Sequence, residues 1–263
     1  MVGAVYVAYS FVRNTFGSAS VTPEVAWANA ERIIEWERRL GALIELDVQN
    51  AFIDHVAFIQ FWNLYYGLFH FAFTAIAFGW ALLRLAPSTY CWWRNSIVAM
   101  TLLALVGYAA YPLMPPRLVA NCGSFGACRA NPVFVDTVTE VGGIWSFESE
   151  AVQAVTNQYA AMPSLHIGWA MWVAGLIWTC ARGRASRTIA AFHPVATLFG
   201  ITVTGNHWWL DAVGGVAVFI LGMGVAELLR RAVGPRKTPQ PRVHGGQETT
   251  IVKGDGPRSA VFT

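Results

Sequence analysis

Two short stretches carry the residues of this sequence that could do chemistry. AMPSLHIGWA contains His166, and TGNHWWLDAVGG contains His207 and Asp211. His207 and Asp211 are four residues apart, so on a helix they share one face. A carboxylate in that position accepts a hydrogen bond from one imidazole nitrogen. This fixes the tautomer and leaves the other nitrogen free to attack an electrophile.

Groups near these stretches favour an anionic substrate. His166 follows Pro163 and Ser164, which suit the start of a helix, and the free N–H groups and dipole at that end attract anions. Ser164 is either a phosphate contact or only a helix cap. Arg117, in YPLMPPRL, carries a guanidinium shaped for phosphate oxygens. Together these residues predict a phosphoryl-transfer site.

The composition indicates that a membrane surrounds the elements that position this site. Hydrophobic residues make up 55% of the 263 residues and charged residues 13%, whereas soluble domains carry roughly 25% charged residues. Mean hydropathy is +0.44. The net charge of +3 is small, and the basic residues cluster in particular loops. These basic residues therefore indicate how the helices are oriented in a bilayer, and no nucleic-acid partner is expected.

Hydropathy predicts an all-α integral membrane bundle of about six transmembrane helices with an amphipathic surface helix. The expected spans are 2–16, 56–83, 96–112, 162–181, 188–203 and 210–229. This divides the chain into a first transmembrane helix (1–20), amphipathic surface helices (21–55), a transmembrane catalytic core (56–231) and a disordered cytoplasmic tail (232–263). The surface segment mixes apolar and charged residues at helical spacing, and it serves either as a packing strut or as a lid.

Arginine positions orient these spans. Arg84, Arg94, Arg184, Arg187 and Arg230 fall on one side if every span crosses, and the positive-inside rule makes that side cytoplasmic. The chain is then a multi-pass cell-membrane protein whose site faces the extracytoplasmic side. Cys122 and Cys128 fall in an outer loop, where we expect them to form a disulfide. Cys91 and Cys180 are expected to be free thiols.

The motifs resemble those of the type 2 phosphatidic acid phosphatase superfamily, and most closely its inositol phosphorylceramide synthase-like branch. PPRL, MPSLH and NHWWLDAVGG carry the likeness, which covers roughly residues 26–229. The resemblance implies roles for the matching residues, with no metal or other cofactor. His207 is the nucleophile that forms a phosphohistidine, Asp211 orients it, and His166 protonates the leaving oxygen. Arg117 and Ser164 match phosphate-binding positions.

The chain departs from the family pattern at three positions. Ala110 and Ile201 stand where phosphatases of the family carry basic residues, and Leu165 replaces a glycine. Asn206, Thr204 or a residue of the outer loop is expected to supply the missing phosphate contacts. These departures favour the synthase-like branch over simple phosphatidic acid hydrolysis.

The predicted function is therefore a lipid phosphatase or phosphotransferase acting on a lipid phosphate or phospholipid. The main alternative is an inositol-phosphate-type headgroup transferase. An intramembrane serine hydrolase that uses Ser164 is a further alternative, but the sequence lacks the G-x-S-x-G elbow of such enzymes. A proton-relaying transporter is another, but the polar residues lie at one face and form no path across the membrane. His55, His70 and His193 have no charged partner at helical spacing and are predicted to be interfacial or packing residues. The lipid substrate, the acceptor and the oligomeric state stay open.

Overall fold

The computed structural model describes residues 2–120, 122–128, 133–142, 156–181 and 183–233. This part of the chain is helical and has no β-strand, which confirms the predicted all-α class. The helices are α1 (Val2–Phe16), α2 (Pro23–Arg39), α3 (Glu45–Phe52), α4 (Val56–Leu64), α5 (His70–Arg84), α6 (Pro87–Ala110), α7 (Thr137–Glu140), α8 (Leu165–Cys180), α9 (Arg184–Val203) and α10 (Trp209–Val233). The predicted disordered tail lies outside the described residues except for its first two.

Each of the six predicted spans forms a helix. Two helices are long and apolar enough to cross a membrane: the continuous 29-residue helix Val56–Arg84 and the 25-residue α10. The first of these joins α4 to α5 through a π-helical turn at Tyr65–Phe69. The apolar helix α8 has only 16 residues. Two helices are therefore candidates for crossing a membrane by length and composition, and a bundle of six crossings stays a prediction.

The helices around α8 form an apolar core. α8 packs against α9, α5 and α6, and Trp172 of α8 donates its indole N–H to the Trp93 carbonyl of α6 at 2.9 Å. α10 packs closely against this core at two glycines, Gly215 and Gly222. A Cβ at Gly222 would lie 2.8 Å from a carbonyl oxygen of α6, and a Cβ at Gly215 would overlap the Ser164 carbonyl. This close approach brings the start of α10 against the start of α8.

The surface segment is a helix pair, α2 and α3, as its periodicity predicts. The apolar face of α2, including Trp27 and Ile33, packs on Met114 and Trp208. The outer face carries exposed ion pairs between Glu35 and the arginines that follow it. These helices pack directly over the turn that precedes α10, which accounts for their amphipathic pattern.

Two acidic residues of this pair are fully buried, which the amphipathic pattern did not predict. Three consecutive backbone N–H groups at the start of α10 each donate to a carboxylate: Trp208 to Asp211 Oδ2 at 2.9 Å, Trp209 to Glu45 Oε1 at 2.7 Å and Leu210 to Glu37 Oε1 at 2.8 Å. The helix dipole favours anions at this position. We call Glu37 and Glu45 the carboxylate clamp, because they join α2 and α3 to α10.

The second oxygen of each clamp carboxyl is buried and has no hydrogen-bond partner among the described residues. Burial, with the neighbouring Glu45 charge, raises the pKa of Glu37 from its ordinary 4.5 to about 9. Burial likewise raises the pKa of Glu45. Glu37 therefore holds a proton at neutral pH, while its Oε1 accepts a hydrogen bond from the backbone N–H of Leu210.

We predict that the Glu37→Gln variant loses less stability than the wild type when the pH is raised above neutral. A folded-state pKa raised above the unfolded value contributes stability at low pH, and this contribution is lost as the pH rises through about 9. The wild-type melting temperature should fall between neutral pH and pH values above that pKa. Glutamine does not ionise, so its variant should fall by several degrees less, since roughly 1 kcal/mol shifts Tm by ~2–4 °C at this size.

The control for this prediction is Glu35→Gln on the same helix. Glu35 is exposed, and hydrogen bonds from Arg39 and Arg38 lower its pKa. The alkaline fall in Tm of this variant should match that of the wild type. An equal alkaline fall in the Glu37→Gln protein would contradict the buried, protonated state of Glu37.

We also predict that Gly215→Ala destabilises the protein and Gly224→Ala does not. Both glycines lie on α10, but a Cβ at position 215 meets the Ser164 carbonyl and Ile167, whereas a Cβ at position 224 has no atom within 4 Å. Overpacking of this kind costs about 1–3 kcal/mol. Thermal unfolding in detergent measures both variants, and equal melting temperatures would show that the close approach is unimportant.

Candidate active site

His207 lies in the turn between α9 and α10. Gly205 in this turn has φ +67°, a left-handed conformation that glycine adopts without steric cost. His207 Nδ1 lies 3.3 Å from Asp211 Oδ2, and both side chains are buried. Burial lowers the pKa of His207 to about 3, so the imidazole is neutral at pH 7. With Nδ1–H donating to Asp211, Nε2 carries the lone pair.

His166 stands in the first turn of α8 and faces that lone pair. Its Nδ1 lies 3.3 Å from His207 Nε2, and the two rings are 5.4 Å apart between centroids. The backbone N–H of Ser164 donates to the Asp211 carbonyl at 2.9 Å, which joins the two motifs directly. The structure thus brings the three predicted catalytic residues into one chain of contacts, Asp211 to His207 to His166.

Arg117 reaches the same site from the turn Pro116–Leu118. Its backbone N–H donates to the Gly205 carbonyl at 2.8 Å, which ties this turn to the turn that carries His207. Its guanidinium forms a buried ion pair with Asp136 at 2.7 Å and also donates to the Gln158 side chain. A phosphate oxygen at Arg117 would therefore share the guanidinium with Asp136 or replace it.

Asn206 and Ser164, the other predicted phosphate contacts, differ in their placement. Asn206 lines the cavity beside His207, and its amide donates to Thr204 Oγ1 at 2.8 Å. The Ser164 hydroxyl is buried and has no hydrogen-bond partner among the described residues. It caps no N–H group of α8, so the predicted capping bond is not seen. It makes no hydrogen bond to a described histidine either, so the geometry does not favour a serine nucleophile.

Cys122 and Cys128, the predicted disulfide, have Cα atoms 4.7 Å apart, a separation that a disulfide spans. Cys91 and Cys180 are unbonded, as expected. Among the residues that the structure describes, no group of three or more His, Cys, Asp or Glu side chains has a metal-binding arrangement.

A cavity of about 710 Å³ opens from the histidines into the helix bundle. One end is polar and is lined by Arg117, Gln158, His166, Asn206 and His207. The remaining walls come mainly from α1, α5, α6 and α8 and are mostly apolar; they include Val5, Phe78, Ile97, Leu105 and Trp169. Of the three departures from the family pattern, Ala110 and Ile201 do not line this cavity, whereas Leu165 does. Gln158, from the outer loop, does line it.

Four residues near the site were not among the site residues predicted from the sequence. Tyr66 stacks on His166, with ring centroids 4.4 Å apart. His70, predicted to be a packing residue, is fully buried 4.9 Å from His166 and lines the cavity. Asp136 and Gln158 bind Arg117. No periodicity marks these residues, because they come from the π-turn helix and from irregular segments.

The comparison with known families agrees with this geometry. A family model described as the PAP2 superfamily matches residues 31–225, which is well over half of the chain and contains Arg117, His166, His207 and Asp211. Searches of the curated proteins and of the solved structures give no significant match. The superfamily consists generally of phosphohydrolases and phosphotransferases. On the extent of this match, the chain belongs to the PAP2 superfamily.

Proposed function

We propose that this protein is a membrane lipid phosphatase or phosphotransferase that works through a phosphohistidine on His207. The observation that carries the proposal is the cavity, whose polar end holds His207, His166 and Arg117 and whose remaining walls are apolar. A phosphoester head would fill the polar end while its hydrocarbon chain occupies the apolar part. Ligand sites typically combine apolar walls with a few placed polar groups in this way.

The contact between the two histidines suggests the reaction axis. The two nitrogens lie 3.3 Å apart, so the rings must separate to admit a phosphate, which would then have the nucleophile His207 Nε2 on one side and the proton donor His166 on the other. His207 attacks phosphorus, the bond from phosphorus to the leaving oxygen breaks, and His166 gives that oxygen a proton. Asp211 stabilises the positive charge that develops on His207.

The second half of the reaction reverses these roles. His166 takes a proton from water or an alcohol, and the oxygen of that molecule attacks the phosphohistidine and releases His207. Arg117 and Asn206 stand where they can hold the oxygens that do not leave. Stabilisation of this charge in a buried site is a major part of phosphoryl transfer.

The proposed setting is a multi-pass cell-membrane protein with this site on the extracytoplasmic side and the C-terminal tail in the cytoplasm. Its support is the pair of helices with membrane-crossing length and composition, together with the arginine pattern. The first turn of α10 holds Asp211, and its last turn holds Arg230 and Arg231. The candidate active site and the basic residues therefore lie at opposite ends of one candidate membrane-spanning helix.

The second candidate function is headgroup transfer to an alcohol, as in an inositol-phosphate-type transferase. His207 is only 3% exposed, and α2 and α3 pack over the turn that carries it. Exclusion of bulk water from such a buried site would protect a phosphohistidine from hydrolysis and favour an alcohol bound beside it. The absence of basic side chains at Ala110 and Ile201 fits this candidate too.

We predict that His207→Ala abolishes turnover of lipid phosphoesters while the protein stays folded. Loss of a nucleophile removes covalent catalysis altogether, so the rate should fall by ~10³-fold or more. The wild type, incubated with a phosphorus-labelled lipid and quenched in alkali, should carry label on a histidine. His55→Ala, at an exposed position outside the site, is the matched control and should keep both activity and label. Full activity of His207→Ala would exclude the mechanism.

We further predict that one competition experiment distinguishes a hydrolase from a transferase, because it measures whether the phosphohistidine reacts with water or with an alcohol. The purified protein is given a labelled phospholipid with increasing amounts of an inositol-type or glycerol-type alcohol. A transferase should form the new phosphodiester at the expense of free phosphate or headgroup, because both acceptors compete for one phosphohistidine. Product ratios that do not respond to the alcohol would identify a hydrolase.

A further inference from the structure

The π-helical turn Tyr65–Phe69 directs two side chains at His166. It interrupts the long helix between α4 and α5 immediately before His70, and π-helical turns inside α-helices occur frequently at functional sites. Tyr66 stacks on the His166 ring with an interplanar angle of 21°, and the His70 ring lies 4.9 Å from it. The interruption thus supplies one wall of the candidate active site.

The imidazole of His70 is buried, and its hydrogen-bonding groups are unsatisfied. The side chain is fully buried, and neither ring nitrogen has a partner among the described residues. Its neighbours include the rings of Phe71 and Trp169. A buried polar group left unpaired costs about 1–3 kcal/mol. The ring stands in the wall of the cavity, with both nitrogens closed to solvent, so a bound molecule supplies the missing partner when the side chain turns a nitrogen toward it.

The position of His70 along the cavity indicates which part of a substrate it meets. The imidazole of His166 lies between those of its two neighbours, with its centroid 5.4 Å from that of His207 and 4.9 Å from that of His70. Beyond His70 the cavity extends along α5 as far as Gly79, nine residues or ~13 Å further at 1.5 Å per residue. If the phosphorus lies at His207 and the leaving oxygen at His166, the next atoms of the substrate reach His70.

We propose that His70 is a specificity-determining residue that donates a hydrogen bond to an acyl carbonyl of the lipid backbone, close to the phosphoester. This rests on the proposed function. In either tautomer an imidazole carries one N–H donor, and a carbonyl is an uncharged acceptor that suits a pocket walled by aromatic rings. An ester carbonyl of a glycerolipid and an amide carbonyl of an N-acylated sphingoid lipid present the same chemistry.

The test compares substrates that differ only in this carbonyl. Diacylglycerol phosphate and its dialkyl ether analogue are assayed with the wild type and with His70→Phe, which keeps a ring but removes both nitrogens. The wild type should prefer the ester by about tenfold in kcat/KM, equivalent to ~1.4 kcal/mol. His70→Phe should lose this preference, mainly through KM for the ester, and His70→Gln, which retains an N–H donor, should recover part of it.

Two further arms complete the experiment. His193→Phe is the matched control, because His193 is a partly buried histidine that bonds Tyr65 and does not line the cavity; its ester preference should equal that of the wild type. An N-acyl sphingoid phosphate tests the amide source, and sensitivity of either acyl substrate to His70→Phe supports the proposal.

The outcomes separate this proposal from the proposed function. A wild type that processes ester and ether equally overturns the role of His70, even if His70→Phe fails to fold. An equal loss of both substrates in a folded His70→Phe protein also overturns it, while the phosphohistidine mechanism stands. A wild type that processes no lipid phosphoester overturns the proposed function and this inference with it.

Discussion

The start of α10 depends on three buried carboxylates that bind three successive backbone N–H groups. Asp211 comes from α10 itself, and Glu37 and Glu45 come from the surface helices. These bonds fix the turn that carries His207, and the Gly205 carbonyl of the same turn holds Arg117. Three negative charges would repel one another strongly in a buried site. The proton on Glu37 reduces that repulsion and leaves the helix dipole to stabilise the rest.

Much of this arrangement could be predicted from the sequence. Hydropathy located six segments that are all helical, and loop charges alone placed His166, His207, Asp211 and Arg117 on one side of the predicted bundle. The spacing of His207 and Asp211 predicted their contact, since residues four apart share a helix face. The helical segments and the contact of His207 with Asp211 could be predicted because they depend on local periodicity and on the polarity of whole segments.

The remainder depends on tertiary packing that no local pattern encodes. The alternation of charged and apolar residues in α2 does not distinguish Glu35, which is exposed, from Glu37, which is buried over the start of another helix. His70 is buried among rings, as a packing residue is, but its position beside His166 follows a π-turn, which ordinary helical spacing does not reveal. The ion pair of Arg117 with Asp136 joins two irregular segments, so no spacing rule predicts it.

The length of α10 has a consequence for the depth of the site. Its 25 residues extend ~37 Å at 1.5 Å per residue, whereas the hydrocarbon part of a bilayer is ~30 Å thick. A helix that crosses with this surplus must tilt or project beyond the hydrocarbon. Because Asp211 occupies the first turn, projection at that end places the candidate active site level with the lipid headgroups. Hydrophobic mismatch would then make bilayer thickness a determinant of how closely substrate phosphates align with His207.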